Sequence, residues 1–411
     1  MHYREAIDWL FATQLFGIKL GLEGPRRLLK EFLAMPRYGV VVVHVAGTNG
    51  KGSTCAMMAA IARACGKRCG LFTSPHLIDF RERIQVSGVE IPEEDVAAGL
   101  TELRTLCERL DPHPTFFEIA LALAMRWFRQ TECELIILET GMGGRFDATT
   151  AVPADVCAIT PIGLDHTQYL GATVAQIAAE KAGIFVPGKP AVSAPQELAV
   201  KSVLEQEANE ARTPLEFIAE PLLGYAIALP GPHQRWNAAL AVAALHHAGV
   251  RLNCDSLQYG LRTVRWPGRF EVLPAAAVSG ATRPVVLDGA HNPHAAAVLA
   301  ETWHTVFAGQ PAALVFSAVA AKDVTGILAL LAPLAAEIFF CPVATPRALA
   351  SDELVAALPP DAPPHRVFTS FRAAFAAALT SGRPVLIAGS LFLVGEARAY
   401  LTGGEFQSSS Q

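Results

Sequence analysis

The chain holds 411 residues, 52% hydrophobic and 17% charged, with a formal net charge of −5. That length exceeds one ordinary core and predicts two domains, while the composition suits a compact enzyme and excludes a disordered chain. The charge gives no reason to expect nucleic acid or an anionic membrane as a partner.

The N-terminal stretch MHYREAIDWLFATQLFGIKL carries Arg4, Glu5 and Asp8 inside its apolar pattern, which predicts an amphipathic helix rather than a signal peptide. VVVVHVA (40–46) predicts a buried strand, and the segment from Ser53 to Cys65 the helix after it. KRCGLFTS (67–74), CELIILET (133–140) and ADVCAITPI (154–162) read as further strands, and FFEIALALAMRWFRQ (116–130) as a helix. TVAQIAAEKAG (173–183) reads as a helix with Thr173 as its N-cap and Gly183 as its stop. After RWPGRFEV (265–272) the pattern restarts, with strands expected at 285–290, 312–319, 337–343 and 384–390. Alternating strands and helices predict mostly parallel sheets covered on both faces. The boundary is placed near Pro267, giving domains 1–266 and 267–411, and the tail GGEFQSSSQ (403–411) is expected to fray.

Eight cysteines, at positions 55, 65, 69, 107, 133, 157, 254 and 341, form no C-x-x-C pair and no zinc-spaced cluster. Reduced thiols in a cytoplasmic protein follow. No uncharged apolar run reaches the length that spans a bilayer.

VAGTNGKGST (45–54) lies between the first strand and its helix. It departs from the usual G-x-x-x-x-G-K-[ST] loop: Gly47 precedes Gly50 by three residues, and Gly52 separates Lys51 from Ser53. The setting still makes an anion site. Successive backbone N–H groups form a nest, the helix N-terminus adds positive potential and Lys51 adds a full charge.

The shortened loop resembles that of the Mur ligase superfamily, and within it the folylpolyglutamate synthase and dihydrofolate synthase branch. Further matches arrive in that branch's order: TSPHL with FRERI (73–84), TFFE (115–118), LETGMGGRFDATT (138–150), GLDHTQYLG (163–171), EKAGI (180–184), GPHQRWNAA (231–239), WPGRF (266–270) and DGAHNP (288–293). The resemblance implies an N-terminal P-loop Mur-ligase-like ATPase domain with a parallel-rich sheet, followed by a C-terminal Rossmann-like α/β domain. It implies an ATP-dependent ligase that activates a carboxylate as an acyl phosphate and lets the amine of L-glutamate displace phosphate. The substrates would be a folate or dihydropteroate, L-glutamate and ATP. Separately from the resemblance, a cytoplasmic monomer is expected, since no exposed heptad or edge feature in the sequence suggests otherwise.

By the same resemblance, Thr48, Asn49, Gly50, Lys51, Gly52 and Ser53 would cradle phosphates, with Asn237, Arg269 and Asp288 also on ATP. Magnesium, in two sites, would use Ser74, Glu139 and His166. Glu139 is also supported independently, because it ends an apolar strand before a glycine-rich turn, where parallel sheets place ligand groups. Lys181 would be carbamylated and help to organise the second magnesium. Thr115, Phe116, Phe117, Phe146, Asp147 and Ala148 would face the pterin, one phenylalanine of the pair being core, and GIKLGLE (17–23) would close over it. His291, Asn292 and Ser390 would line the glutamate end. An Arg such as Arg269, near the domain junction, would couple closure to chemistry.

The sequence departs from the branch at Thr140, where a small or apolar residue is usual, and at Thr150, which ends DATT in place of DATN. The stretch from Arg212 to Gly231 is short, which predicts a trimmed peripheral hairpin. Two other readings are a Mur-type ligase on a different carboxylate and a nucleotide-triggered switch. The first predicts an additional N-terminal domain for the UDP-sugar, and only 46 residues precede the loop. The second needs neither Lys181 nor TFFE.

Overall fold

The structure, a computed structural model, describes residues 1–17, 21–404, 406 and 407. The expectations for the pterin-closing segment at 17–23 and for the frayed tail fall partly outside those residues. The chain forms two compact units. The first comprises Met1–His76, Phe80–Ala228 and Arg235–Val264; the second comprises Leu77–Asp79, Leu229–Gln234 and Arg265–Gln411.

The first unit is built on eight strands: β1 (Val41–Ala46), β2 (Cys69–Phe72), β3 (Ile84–Val86), β4 (Val89–Glu90), β5 (Leu135–Glu139), β6 (Val156–Ile159), β7 (Ala191–Ser193) and β8 (Leu215–Phe217). Their order is β4-β3-β2-β5-β1-β6-β7-β8. β3 pairs antiparallel with both β2 and β4, and the other contacts are parallel. The valine run makes β1 the natural central strand, because β-branched side chains fit a pleated surface buried on both faces. From β1 the chain builds outward on one side through β2, and from β6 on the other through β7 and β8. The loops after β1 and β6 therefore diverge at a switch point, where open α/β sheets bind ligands.

One face of this sheet is covered by the helices Tyr3–Ala12, Glu23–Glu31, Glu93–Cys107 and Phe116–Gln130, whose apolar residues form one core cluster. The last of these buries residues all round, as expected for a helix enclosed between sheet and neighbouring helices. A second cluster packs Val174–Ala182 and Leu198–Ala211 around β6 and β7. Full capping boxes start two helices, Thr115 with Glu118 and Thr173 with Gln176, each satisfying two otherwise orphaned N–H groups. Residues 218–230 contain no strand.

The second unit has six strands: β9 (Glu271–Leu273), β10 (Val285–Leu287), β11 (Ala312–Phe316), β12 (Ala335–Phe340), β13 (His365–Val367) and β14 (Val385–Ala388). Their order is β13-β12-β11-β14-β10-β9, with only β9 antiparallel. Apolar clusters cover both faces. Leu77 and Ile78 are buried in one of them, beside Val285, Leu393 and Val394. Their apolar side chains explain why Leu77–Asp79 sides with this unit, a placement that chain order does not suggest. Among the described residues, no helix is long and apolar enough to cross a membrane.

Candidate active site

The phosphate-type loop begins where β1 ends. Gly47 has φ 146° and Gly50 φ 88°, and both glycines also make close approaches. A Cβ on Gly47 would collide with the Thr160 side chain, and one on Gly50 would lie 2.8 Å from Asn237 Oδ1. The left-handed Gly50 ends the turn so that the helix starts at Lys51, two residues before the expected Ser53. Across the switch point, Thr48 and Asn49 donate their N–H groups to Pro161 O at 3.0 and 3.2 Å. Thr48 Oγ1 also bonds Gly163 O, at 3.0 Å. The loop after β6 thus supports the loop after β1.

Two lysines converge on one carbonyl. Lys51 Nζ donates to Gly47 O at 3.1 Å and to Thr48 O at 3.2 Å, while Lys181 Nζ donates to Gly47 O at 2.7 Å. Lys181 is buried, which pushes its amine down to about 7; the nearby Lys51 charge adds to this, and Asp165 and Asp147 oppose it. A surface lysine at a helix C-terminus would do none of this. Its position is set by the turn before it. Gly144 comes so close to the carbonyls of Glu180 and Lys181 that a Cβ there would lie 2.7 and 2.6 Å from them. Arg145 N bonds Glu180 O at 2.8 Å.

Glu139 ends β5 and is buried. Its Oε2 accepts the Ser74 N–H at 3.1 Å, so these two metal candidates are adjacent. His166 lies on the far side of β1, in the exposed loop after β6, with φ 51° and its N–H bonded to Asp165 Oδ1 at 2.8 Å. No group of three or more His, Cys, Asp or Glu side chains forms a ready metal cage among the described residues. This donor set suits magnesium, which keeps its waters and takes one or two carboxylates plus substrate phosphate. Thr140 Oγ1 beside Glu139 and Thr54 Oγ1 in the first turn of the loop helix are buried without hydrogen-bond partners. These orphaned oxygens are the kind that a hydrated hard cation or phosphate could engage.

The pterin candidates divide by environment. Phe116 is core, stacked on Phe11 with ring centroids 5.6 Å apart. Phe117 is half-buried and lies against Gly141, where a Cβ would come within 2.8 Å of its Cζ. Thr115 is spent on the capping box. Phe146 is exposed and Ala148 is buried. Asp147 is buried and both its oxygens are engaged: Thr149 N at 3.0 Å on Oδ1 and Met142 N at 2.8 Å on Oδ2. Burial raises its carboxyl, and these bonds oppose that.

In the second unit, Asp288 at the end of β10 accepts Phe270 N and Ala290 N, each at 2.8 Å. Burial raises its carboxyl, with Arg269 the main opposing charge. His291 Nδ1 bonds Gly289 O at 2.7 Å. Asn292 caps the helix Pro293–Phe307, and Ser390 caps Leu391–Thr402.

Sequence reasoning assigned no role to Arg83, within FRERI. It is fully buried, donates to His76 Nδ1 at 2.8 Å and lies 5.1 Å from the Phe116 ring centroid. Burial pushes its guanidinium down to about 9, opposed by Glu82 and Glu139. The Glu82 and Glu139 carboxylates offset part of the cost of burying this cation, and the sequence signal was its place in FRERI, shortly after TSPHL.

Two family models match this architecture: the Mur ligase middle domain over residues 45–194 and the Mur ligase glutamate ligase domain over residues 268–391. The dihydrofolate synthase/folylpolyglutamate synthase of Bacillus subtilis is 34% identical over 384 residues, covering 86% of this chain and 88% of that protein. The chain belongs to the folylpolyglutamate synthase/dihydrofolate synthase family of ATP-dependent ligases. A Haloferax volcanii protein named a probable bifunctional folylpolyglutamate synthase/dihydropteroate synthase is 39% identical over 330 residues, and the match spans 73% of this chain and only 38% of that longer protein. The Escherichia coli enzyme solved with DHPP and ADP superposes with a TM-score of 0.86 at 30% identity, covering 97% of this chain and 98% of that one. A Yersinia pestis bifunctional enzyme solved with AMPPNP and a manganese ion gives 0.86 at 31% identity, covering 98% of each chain.

Proposed function

We propose that the protein joins L-glutamate to a folate at the expense of ATP, and that it accepts dihydropteroate as well. The observation that carries this reading is the pair of lysines on Gly47 O beside a buried strand-end carboxylate, in a chain of this family. Lys51 would leave the loop carbonyls to stabilise charge on the phosphate being transferred. The substrate carboxylate attacks the γ-phosphorus, ADP leaves, and the glutamate amine then displaces phosphate from the acyl phosphate. A divalent cation, held by Ser74, Glu139 and His166, would neutralise phosphate charge.

Gly50, Gly52 and Ser53 are assigned to phosphate through backbone and hydroxyl groups, Thr48 and Asn49 shape the same cradle through their bonds to the loop after β6, and Asn237, Arg269 and Asp288 are assigned to the nucleotide. The neutral fraction of a Lys181 amine held near 7 is the form that adds carbon dioxide, which supports carbamylation. Phe117 and Phe146 are the accessible aromatics for the pterin, with Thr115, Phe116, Asp147 and Ala148 shaping the wall behind them. His291, Asn292 and Ser390 are assigned to the glutamate end, residues 1–266 to ATP binding and 267–411 to glutamate ligation. Free cysteines, seven of the eight sheltered from full exposure, suit a cytoplasmic enzyme, here taken to be a monomer.

The test is ADP release with Mg-ATP and L-glutamate, comparing tetrahydrofolate and dihydropteroate. ADP with both is the expected result. Stimulation by neither, in protein that binds ATP, would overturn the folate reading.

A further inference from the structure

His44 stands alone among the valines of β1, 1% exposed in the middle strand of the sheet. A buried imidazole in such a run is costly unless its polar atoms are bonded. Its Nε2 meets Thr149 Oγ1, and the same hydroxyl bonds Asp147 Oδ1. A hydroxyl has one proton. Because the Asp147 carboxylate can only accept, Thr149 gives it that proton and must receive the next from His44. The direction is fixed: His44 to Thr149 to Asp147. Burial holds the His44 imidazole down to about 3, so it is the neutral Nε2–H donor at working pH.

The chain ends by using up the carboxylate. Thr149 N and Thr149 Oγ1 occupy Oδ1, and Met142 N occupies Oδ2. Asp147 therefore fastens the two ends of the turn 142–149 from inside. On that turn sit the exposed Phe146 and Gly144, the residue packed against the Glu180 and Lys181 carbonyls.

We infer that His44 is a positioning residue that sets the shape of the 142–149 turn through Thr149 and Asp147, and thereby the fit of the acceptor substrate. This rests on the folate reading above. His44→Val should leave the fold intact and raise KM for the folate acceptor about tenfold, with KM for ATP unchanged. His44→Gln, whose amide places a donor near the Nε2 position, should recover most of the loss, and Thr149→Val should reproduce it. Equal decline in every kinetic constant without rescue by Gln, or an unchanged acceptor KM, would overturn the inference. Hydrogen exchange keeps the two proposals separable: the Met142 and Thr149 amides should exchange faster in His44→Val whatever the acceptor is. Unchanged exchange at both would sink the positioning role even in an active enzyme, whereas absent turnover with faster exchange would sink only the folate reading.

Discussion

The turns after β1 and after β10 occupy equivalent places, each leaving the carboxyl end of a parallel strand, yet they are held by opposite charges. After β1 the fastening groups are lysines donating to the Gly47 and Thr48 carbonyls. After β10 the fastening group is the Asp288 carboxylate, accepting two backbone amides. A phosphate can replace a carbonyl as the partner of an ammonium with little disturbance to the backbone. Nothing can replace Asp288 without freeing the amides that shape its turn. The first turn is thus built to exchange partners and the second to keep them.

Removing the exchangeable cation should produce the largest effect. Lys51→Ala is expected to lower turnover by about 10²–10³-fold, the scale of losing one preorganised charge-stabilising donor. ADP release checks this, with circular dichroism to confirm folding; near-normal turnover would mean that the loop does not serve phosphate transfer. Gly47→Ala attacks the same turn through its backbone. Holding an alanine at φ 146° costs about 1–3 kcal/mol, and the collision with Thr160 adds to that. Both ATP affinity and the melting temperature should fall.

Asp288→Asn sharpens the contrast from the other side. Its amide nitrogen would face one of the two backbone N–H groups, so a loss of about 1–3 kcal/mol in stability is expected. Urea denaturation reads this; unchanged stability with a raised KM for ATP would move Asp288 to the exchanging class.

The last test reads a slope with pH, not a single loss. Lys181 titrates near 7 in the folded chain against 10.5 for the ordinary amine. Between these values the unfolded chain holds the extra proton, so raising the pH favours folding. The burial penalty is complete below about pH 7 and gone above about 10.5. Relative to Lys181→Met, the unmodified wild type should gain up to about 1.4 kcal/mol per pH unit in that window. Parallel curves would place the Lys181 amine at its ordinary value.

Much of this was legible locally. The run ending at Ala46, the Lys51 loop, Glu139 closing LIILE and the Thr173 cap each follow from periodicity or from a residue's own chemistry. What escaped depends on distant partners. Leu77 and Ile78 read as part of the first unit because nothing local says whose core they enter. Phe116 and Phe117 are chemically alike, and only the position of Phe11 and Gly141 separates them. His44 looked like one more residue of a buried strand, since its partner Thr149 is 105 positions away.

The outermost strands carry a consequence for the protein at high concentration. β4 has two residues, and β8, β9 and β13 have three each. β13 is exposed throughout, and its Arg366 is tied to Glu337 on the neighbouring strand. Unpaired backbone so brief, and charged where it is most open, gives another chain almost no template for adding a strand. Intermolecular β-aggregation from the native state should therefore be slow, and precipitation should await the opening of a sheet.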